Sequence, residues 1–172
     1  MNFYKKLKRN ITKREFYLYL SGIAFICFVS IFWITSFFVF PIEKPQINDP
    51  SLSKEEIQKL AEQYLNNFAL SKILSYIANS LILIFFLIYI ILLRGKLSCG
   101  YGFYIAFIII FIILIGIPFI QWEQITTSQK SLGLLLSLGN LFVAISLAVY
   151  MFILYRDRRI QEFEFIRNKG RR

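Results

Sequence analysis

Apolar residues are gathered into four long blocks, and nearly all charge lies between them. The blocks cover residues 16–40, 73–93, 101–120 and 132–155. A helix rises about 1.5 Å per residue, so roughly twenty residues cross a hydrocarbon core of about 30 Å. Each block is long enough. A helix on the surface of a water-soluble domain keeps one polar face, which breaks such runs every few residues. The pattern predicts an all-α, polytopic integral membrane protein, a bundle of four transmembrane helices.

Each block carries its own punctuation. The first ends at Pro41, which cannot continue the backbone ladder. It is too long for a signal-peptide core, and Phe37, Phe38, Val39 and Phe40 offer no small-residue cleavage site. It therefore reads as a retained span, with Tyr17 and Tyr19 at an interface and Trp33 as a packing residue. Lys72 stands at the outer edge of the second, able to snorkel toward water. Arg94, Gly95 and Lys96 form a tight link, so the second and third spans read as an antiparallel hairpin. The third has no polar side chain in its middle. Pro118 should kink or end it, and Trp122 follows at the outer interface.

Between the first two blocks lies an outer segment, residues 41–69. Pro41, Pro45 and Pro50 keep its first part extended or turned. Ser53 and Glu56 then have capping-box spacing. Ile57, Leu60, Ala61, Tyr64, Leu65 and Phe68 follow at helical spacing, so an outer amphipathic helix precedes the second span. No Gly or Pro separates the two. The helix either extends the span outward or lies flat on the membrane. After Tyr155 the basic tail, residues 156–172, should continue as helix and fray at Gly170 and the final arginines. Its Ile160, Phe163 and Ile166 lie three apart and suit a membrane surface or a partner.

Two polar seams run through the apolar blocks. Gly133, Ser137, Asn140, Ala144 and Ala148 recur at steps of four, three, four and four, on one face of the fourth span. Ser71, Ser75 and Asn79 recur at steps of four on the second. Small residues let helices approach closely, and an Asn amide in hydrocarbon needs a partner. Counted from Arg94 and Arg156, Asn79 and Asn140 reach nearly the same depth, roughly 22–24 Å from the inner boundary. The expectation is that spans two and four pack together, with Ser75 and Asn79 facing Ser137, Asn140 and Ala144. These five residues form a packing seam or, alternatively, a polar pocket. The third span, lacking a seam, is expected toward lipid or a partner.

Charge orients the chain. Fifteen of the twenty Lys and Arg lie in residues 1–15, in the link at Arg94 and Lys96, or after Tyr155. Basic residues near span ends stay cytoplasmic, so both termini are expected there and residues 41–69 outside. The membrane would be a plasma or inner membrane, with an organelle membrane as the alternative. The basic ends read as topogenic, and no folded platform for nucleic acid is visible.

Candidate chemistry is sparse. The chain has no histidine, which argues against a His-ligated haem, most catalytic zinc sites and Ser-His or Cys-His nucleophiles. No Asp, Glu, Lys or Arg stands mid-span, where proton relays place them. Asn10-Ile11-Thr12 fits the glycosylation pattern, but on the cytoplasmic side it would go unused. Cys27 and Cys99 lie at different depths and should not pair. Cys99, in the cytoplasmic link, is an S-acylation candidate. No catalytic, metal or cofactor residue is assigned, and no cofactor is expected. Partners should be membrane lipids and other membrane subunits or further copies. The reading is a small non-catalytic membrane subunit, a partner, assembly or scaffold component of a larger complex. The alternatives are a self-associating channel or carrier for a small solute, and a lipid-directed membrane enzyme. Four spans with both ends inside imply no activity by themselves.

Overall fold

A computed structural model of the chain describes residues 10–39, 54–95 and 99–169. Four helices fill most of these: α1 Lys13–Val39, α2 Lys54–Gly95, α3 Tyr101–Gly116 and α4 Thr127–Lys169. All four, α3 with the turn that follows it, are long and apolar enough to cross a membrane. Short 3-10 turns at Ile117–Phe119 and Trp122–Gln124 join α3 to α4.

Local chemistry sets the helix ends. Thr12 Oγ1 accepts the Glu15 N–H at 3.2 Å, and Glu15 Oε2 accepts the Thr12 N–H at 3.4 Å. This is a reciprocal capping box, and it starts α1. Glu55 and Glu56 sit in the first turn of α2, at the positive end of its dipole. The expected Ser53 cap lies outside the described residues, as do Pro41, Pro45 and Pro50. Pro118 has no N–H for the ladder, so α3 stops at Gly116 and tightens into a 3-10 turn. Gln121, at φ 58°, then turns the chain toward α4.

The segment before the second apolar block is an extension of that span. α2 is one unbroken helix of 42 residues, about 60 Å long. α4 is likewise continuous over 43 residues. α2 therefore overhangs the bundle at one end and α4 at the other. The lower end holds the first turns of α1 and α3, where the Ile11 N–H donates to the Leu93 carbonyl at 3.3 Å. The upper end holds the last turns of α1, Lys72, Pro118 and the start of α4.

Packing differs from the expected pairing of spans two and four. α4 lies closest to α1 and α3, and α2 packs mainly on α1. The reason is backbone approach. A Cβ placed on Gly22 would meet Val143 Cγ2 at 2.7 Å, and one on Gly139 would meet Ile26 Cγ1 at 2.9 Å. A side chain at either position would force these neighbours to shift, so the backbone of each helix lies directly against side chains of the other. The third helix exposes Ile105, Ile109, Ile112 and Ile113 on its outer face and joins the bundle by its inner one. Ser137 donates to the Ile115 carbonyl at 2.9 Å, tying α4 into the loosened last turn of α3. Large rings, rather than small residues, join α2 to α3. Phe86 packs against Phe103, Phe107 and Phe111, and Tyr89 against Phe103 and Phe107.

The core contains Tyr19, Trp33, Phe86, Tyr104, Phe111 and Leu147. The outside of the bundle is apolar as well. Phe28, Phe85, Ile113 and Phe152 are each more than 60% exposed.

Candidate functional site

Polar side chains inside the bundle collect at three levels. At the lower end, Glu15 is fully buried. Tyr104 Oη donates to its Oε1 at 2.6 Å and Tyr19 Oη to the same oxygen at 3.3 Å. With the capping N–H, three donors converge on one carboxylate, the arrangement that lets a charge be buried. The Cys99 thiol donates to the Gly100 carbonyl at 4.0 Å and is buried. That corrects the S-acylation expectation, because a thiol 1% exposed presents no surface to an acyl donor. Outside this cluster, Arg94 lies over the Phe16 ring at 4.6 Å and Arg158 over the Tyr101 ring at 4.1 Å.

At the upper end, Lys72 is 2% exposed. Its ammonium donates to the Ile120 carbonyl, just past the end of the turn that closes α3. The rings of Phe68, Phe37 and Trp33 surround it at 5.2, 5.7 and 5.9 Å. The expected snorkelling does not occur. The side chain turns inward because a carbonyl at the negative end of a helix and three ring faces together replace water around the cation. Beside it, Gln129 is fully buried. It accepts the Thr126 N–H at 2.9 Å and donates to the Ser36 carbonyl at 3.2 Å. One side chain thus caps the start of α4 and the end of α1.

The middle level holds the residues singled out from the sequence, and the structure separates them. Asn79 donates to Ser30 of α1 at 3.2 Å, not to Asn140. Ser75 donates to the Ser71 carbonyl within its own helix. Ser137 serves α3, as described, and Ala144 is buried. Asn140 is fully buried, and among the described residues neither its amide nitrogen nor its oxygen has a hydrogen-bond partner. Equal depth along two helices did not make these residues neighbours, because the helices sit on different sides of the bundle.

A shallow groove of about 250 Å³ opens beside Ser30, between α1 and α2. Cys27, Tyr76 and Ser80 add polar atoms to a lining otherwise formed by Ile and Leu.

Glu15, Gln129 and the inward turn of Lys72 were missed from the sequence. Thr12 and Glu15 show the same capping-box spacing as Ser53 and Glu56, so that signal was available. Thr126 and Gln129 share that spacing too, so the cap of α4 was readable, whereas the Ser36 carbonyl that Gln129 also reaches lies 93 residues away and no local pattern marks it. No group of three or more His, Cys, Asp or Glu stands together among the described residues. No family model, curated protein or solved structure matches the chain.

Proposed function

We propose that the chain is an integral membrane protein crossing the bilayer four times, with both termini cytoplasmic. In this reading it acts as a non-catalytic subunit, a partner, assembly or scaffold component of a larger membrane complex. Lipid is the natural cover for an outer surface bearing Phe28, Phe85, Ile113 and Phe152, since water-soluble monomers rarely expose wide apolar patches. The distribution of Lys and Arg supports the orientation.

The observation that carries the subunit reading is the use made of the buried polar groups. Glu15 starts α1 and fastens it to α3. Lys72 closes the end of α3, and Gln129 joins α1 to α4. Each is engaged in holding helices together, and the result is a braced bundle from which two long helices project at opposite ends. Such a shape suits bridging or positioning other proteins. Purification of the tagged chain in mild detergent, with quantitation of co-purifying chains, tests it. A stoichiometric hetero-complex is expected, and a lone monomer or homo-oligomer would overturn the reading.

Asn140 favours a second reading, a self-associating carrier or channel for a small solute. An amide without a partner is the kind of group that a solute path uses. Solute flux in liposomes containing only this chain would support that reading over the first.

A further inference from the structure

Resting on the subunit reading, we infer that the lower overhang of α4 is a docking helix for an acidic amphipathic segment of a cytoplasmic partner protein. Ile160, Phe163 and Ile166 are exposed, the last two by 68% and 67%. They share one helical face, and Arg156, Arg159 and Arg167 fall on that same face, at spacings of four and seven from its apolar residues. Asp157, Glu162 and Glu164 fall on its flanks. The face is thus apolar and basic together. After Tyr155 the chain holds seven basic and three acidic residues, so the whole overhang is positive.

Charge and helix continuity select the occupant. A second copy packed in parallel would set Arg156 and Arg159 against their own equivalents. Like charges facing each other across helices oppose pairing, which makes a homodimer here unfavourable. An anionic membrane surface would attract the arginines, but the helix would have to bend through a large angle to lie on it. Sharp kinks need Pro, Gly or an interrupted ladder. α4 runs unbroken through residues 140–169 with neither Gly nor Pro. Arg159 also donates to Tyr155 Oη at 3.1 Å one turn earlier, reinforcing the helix where it leaves the bundle. The overhang therefore stands away from the bundle for about 20 Å. A protein helix with apolar residues on one face and Asp or Glu opposite the arginines satisfies both parts of the face.

The test places a photo-crosslinking phenylalanine derivative at position 163 of the full chain, in cells of its source, and maps the products by mass spectrometry. A second probe at position 28, on the apolar outside of the bundle, serves as reference. The expected product at 163 is one protein, crosslinked through a segment with an excess of Asp and Glu. Its yield should fall at least tenfold when Arg156→Glu, Arg159→Glu and Arg167→Glu are combined, while the melting temperature of the chain stays unchanged. Crosslinks at 163 to a second copy, to lipid alone, to a segment without acidic excess, or to nothing would overturn the inference. A protein crosslink at 28 with none at 163 would remove the docking helix and leave the subunit reading standing. Lipid alone at both positions would remove both.

Discussion

The hydroxyl of Tyr104, in the first turn of α3, donates to the carboxylate of Glu15, in the first turn of α1, at 2.6 Å across 89 residues of chain. The bond closes the lower end of the bundle. Tyr19 reaches the same oxygen at the longer distance of 3.3 Å. Hydrogen bonds to charged groups contribute about 1.5–3 kcal/mol, and stranding a buried partner costs the most. Tyr104→Phe should therefore lower stability by about 1.5–3 kcal/mol, and Tyr19→Phe by less. Glu15→Ala should exceed both, since it orphans both hydroxyls and the Thr12 N–H at once. Thermal unfolding of the three variants in one detergent checks the order. A Tyr19 variant weaker than the Tyr104 variant would show that the shorter bond is not the dominant one.

Glycines supply a test with an internal control. Gly→Ala inside a helix normally gains up to about 1 kcal/mol from reduced chain entropy. At Gly102 a new Cβ would meet nothing within 4 Å, so Gly102→Ala should be neutral or stabilising. At Gly22 the same methyl would stand 2.7 Å from Val143 Cγ2. Overpacking costs about 1–3 kcal/mol, which outweighs the propensity gain and makes Gly22→Ala destabilising. Adding Val143→Ala removes the clashing atom. The double variant should then be more stable than the sum of the two single changes predicts, by roughly 0.5–3 kcal/mol. Strict additivity would mean that α1 and α4 do not meet at this pair.

Lys72 permits a test of charge against length. Lys72→Met keeps an unbranched side chain but leaves the Ile120 carbonyl without its donor and the three rings without their cation. A loss of about 1–3 kcal/mol is expected. Lys72→Glu should lose more, because it puts an anion at the negative end of a helix and against negative ring faces. Melting temperatures of both variants provide the check. A Met variant as stable as the parent would mean that the cation contributes no net stability where it is buried.

The sequence made the helices legible and left their neighbours obscure. Long apolar runs and the spacing of Ser53 and Glu56 mark helices because both are local properties. The seam of Gly133, Ser137, Asn140 and Ala144 was also legible as a contact face, and the structure buries it. Which helix it meets depends on the order of helices around the bundle. Depth along an axis carries no information about that order, so Asn79 and Asn140 matched in depth without bonding. Lys72 fails for a related reason. A lysine at a span end turns outward or inward according to what stands beside it, and here that is a carbonyl 48 residues away. Gly22 and Gly139 were readable as small residues, but their close approach depends on Val143 and Ile26 arriving opposite them.

Asn79 and Asn140 look equivalent along the chain, and the structure assigns them substitutions of opposite sign. Asn79 donates to Ser30, so Asn79→Leu removes an interhelical bond between α1 and α2. Bonds of this kind inside membrane bundles average about 0.6 kcal/mol and reach about 1.7, which sets the expected loss. Asn140 has the same amide with no partner among the described residues, in a fully buried position. An unpaired buried amide costs about 1–3 kcal/mol by protein mutational data, and Leu keeps the branching and heavy-atom number of Asn140 while replacing its polar atoms by methyl groups. Asn140→Leu should therefore raise stability, by up to about that amount. Thermal unfolding of the two variants under one condition decides it. A drop for Asn140→Leu would show that the amide has a partner after all and that the middle of the bundle is held by both seams. A rise in stability together with loss of the chain's cellular role would instead assign the amide to a solute path, because the fold would have survived the change and the function would not.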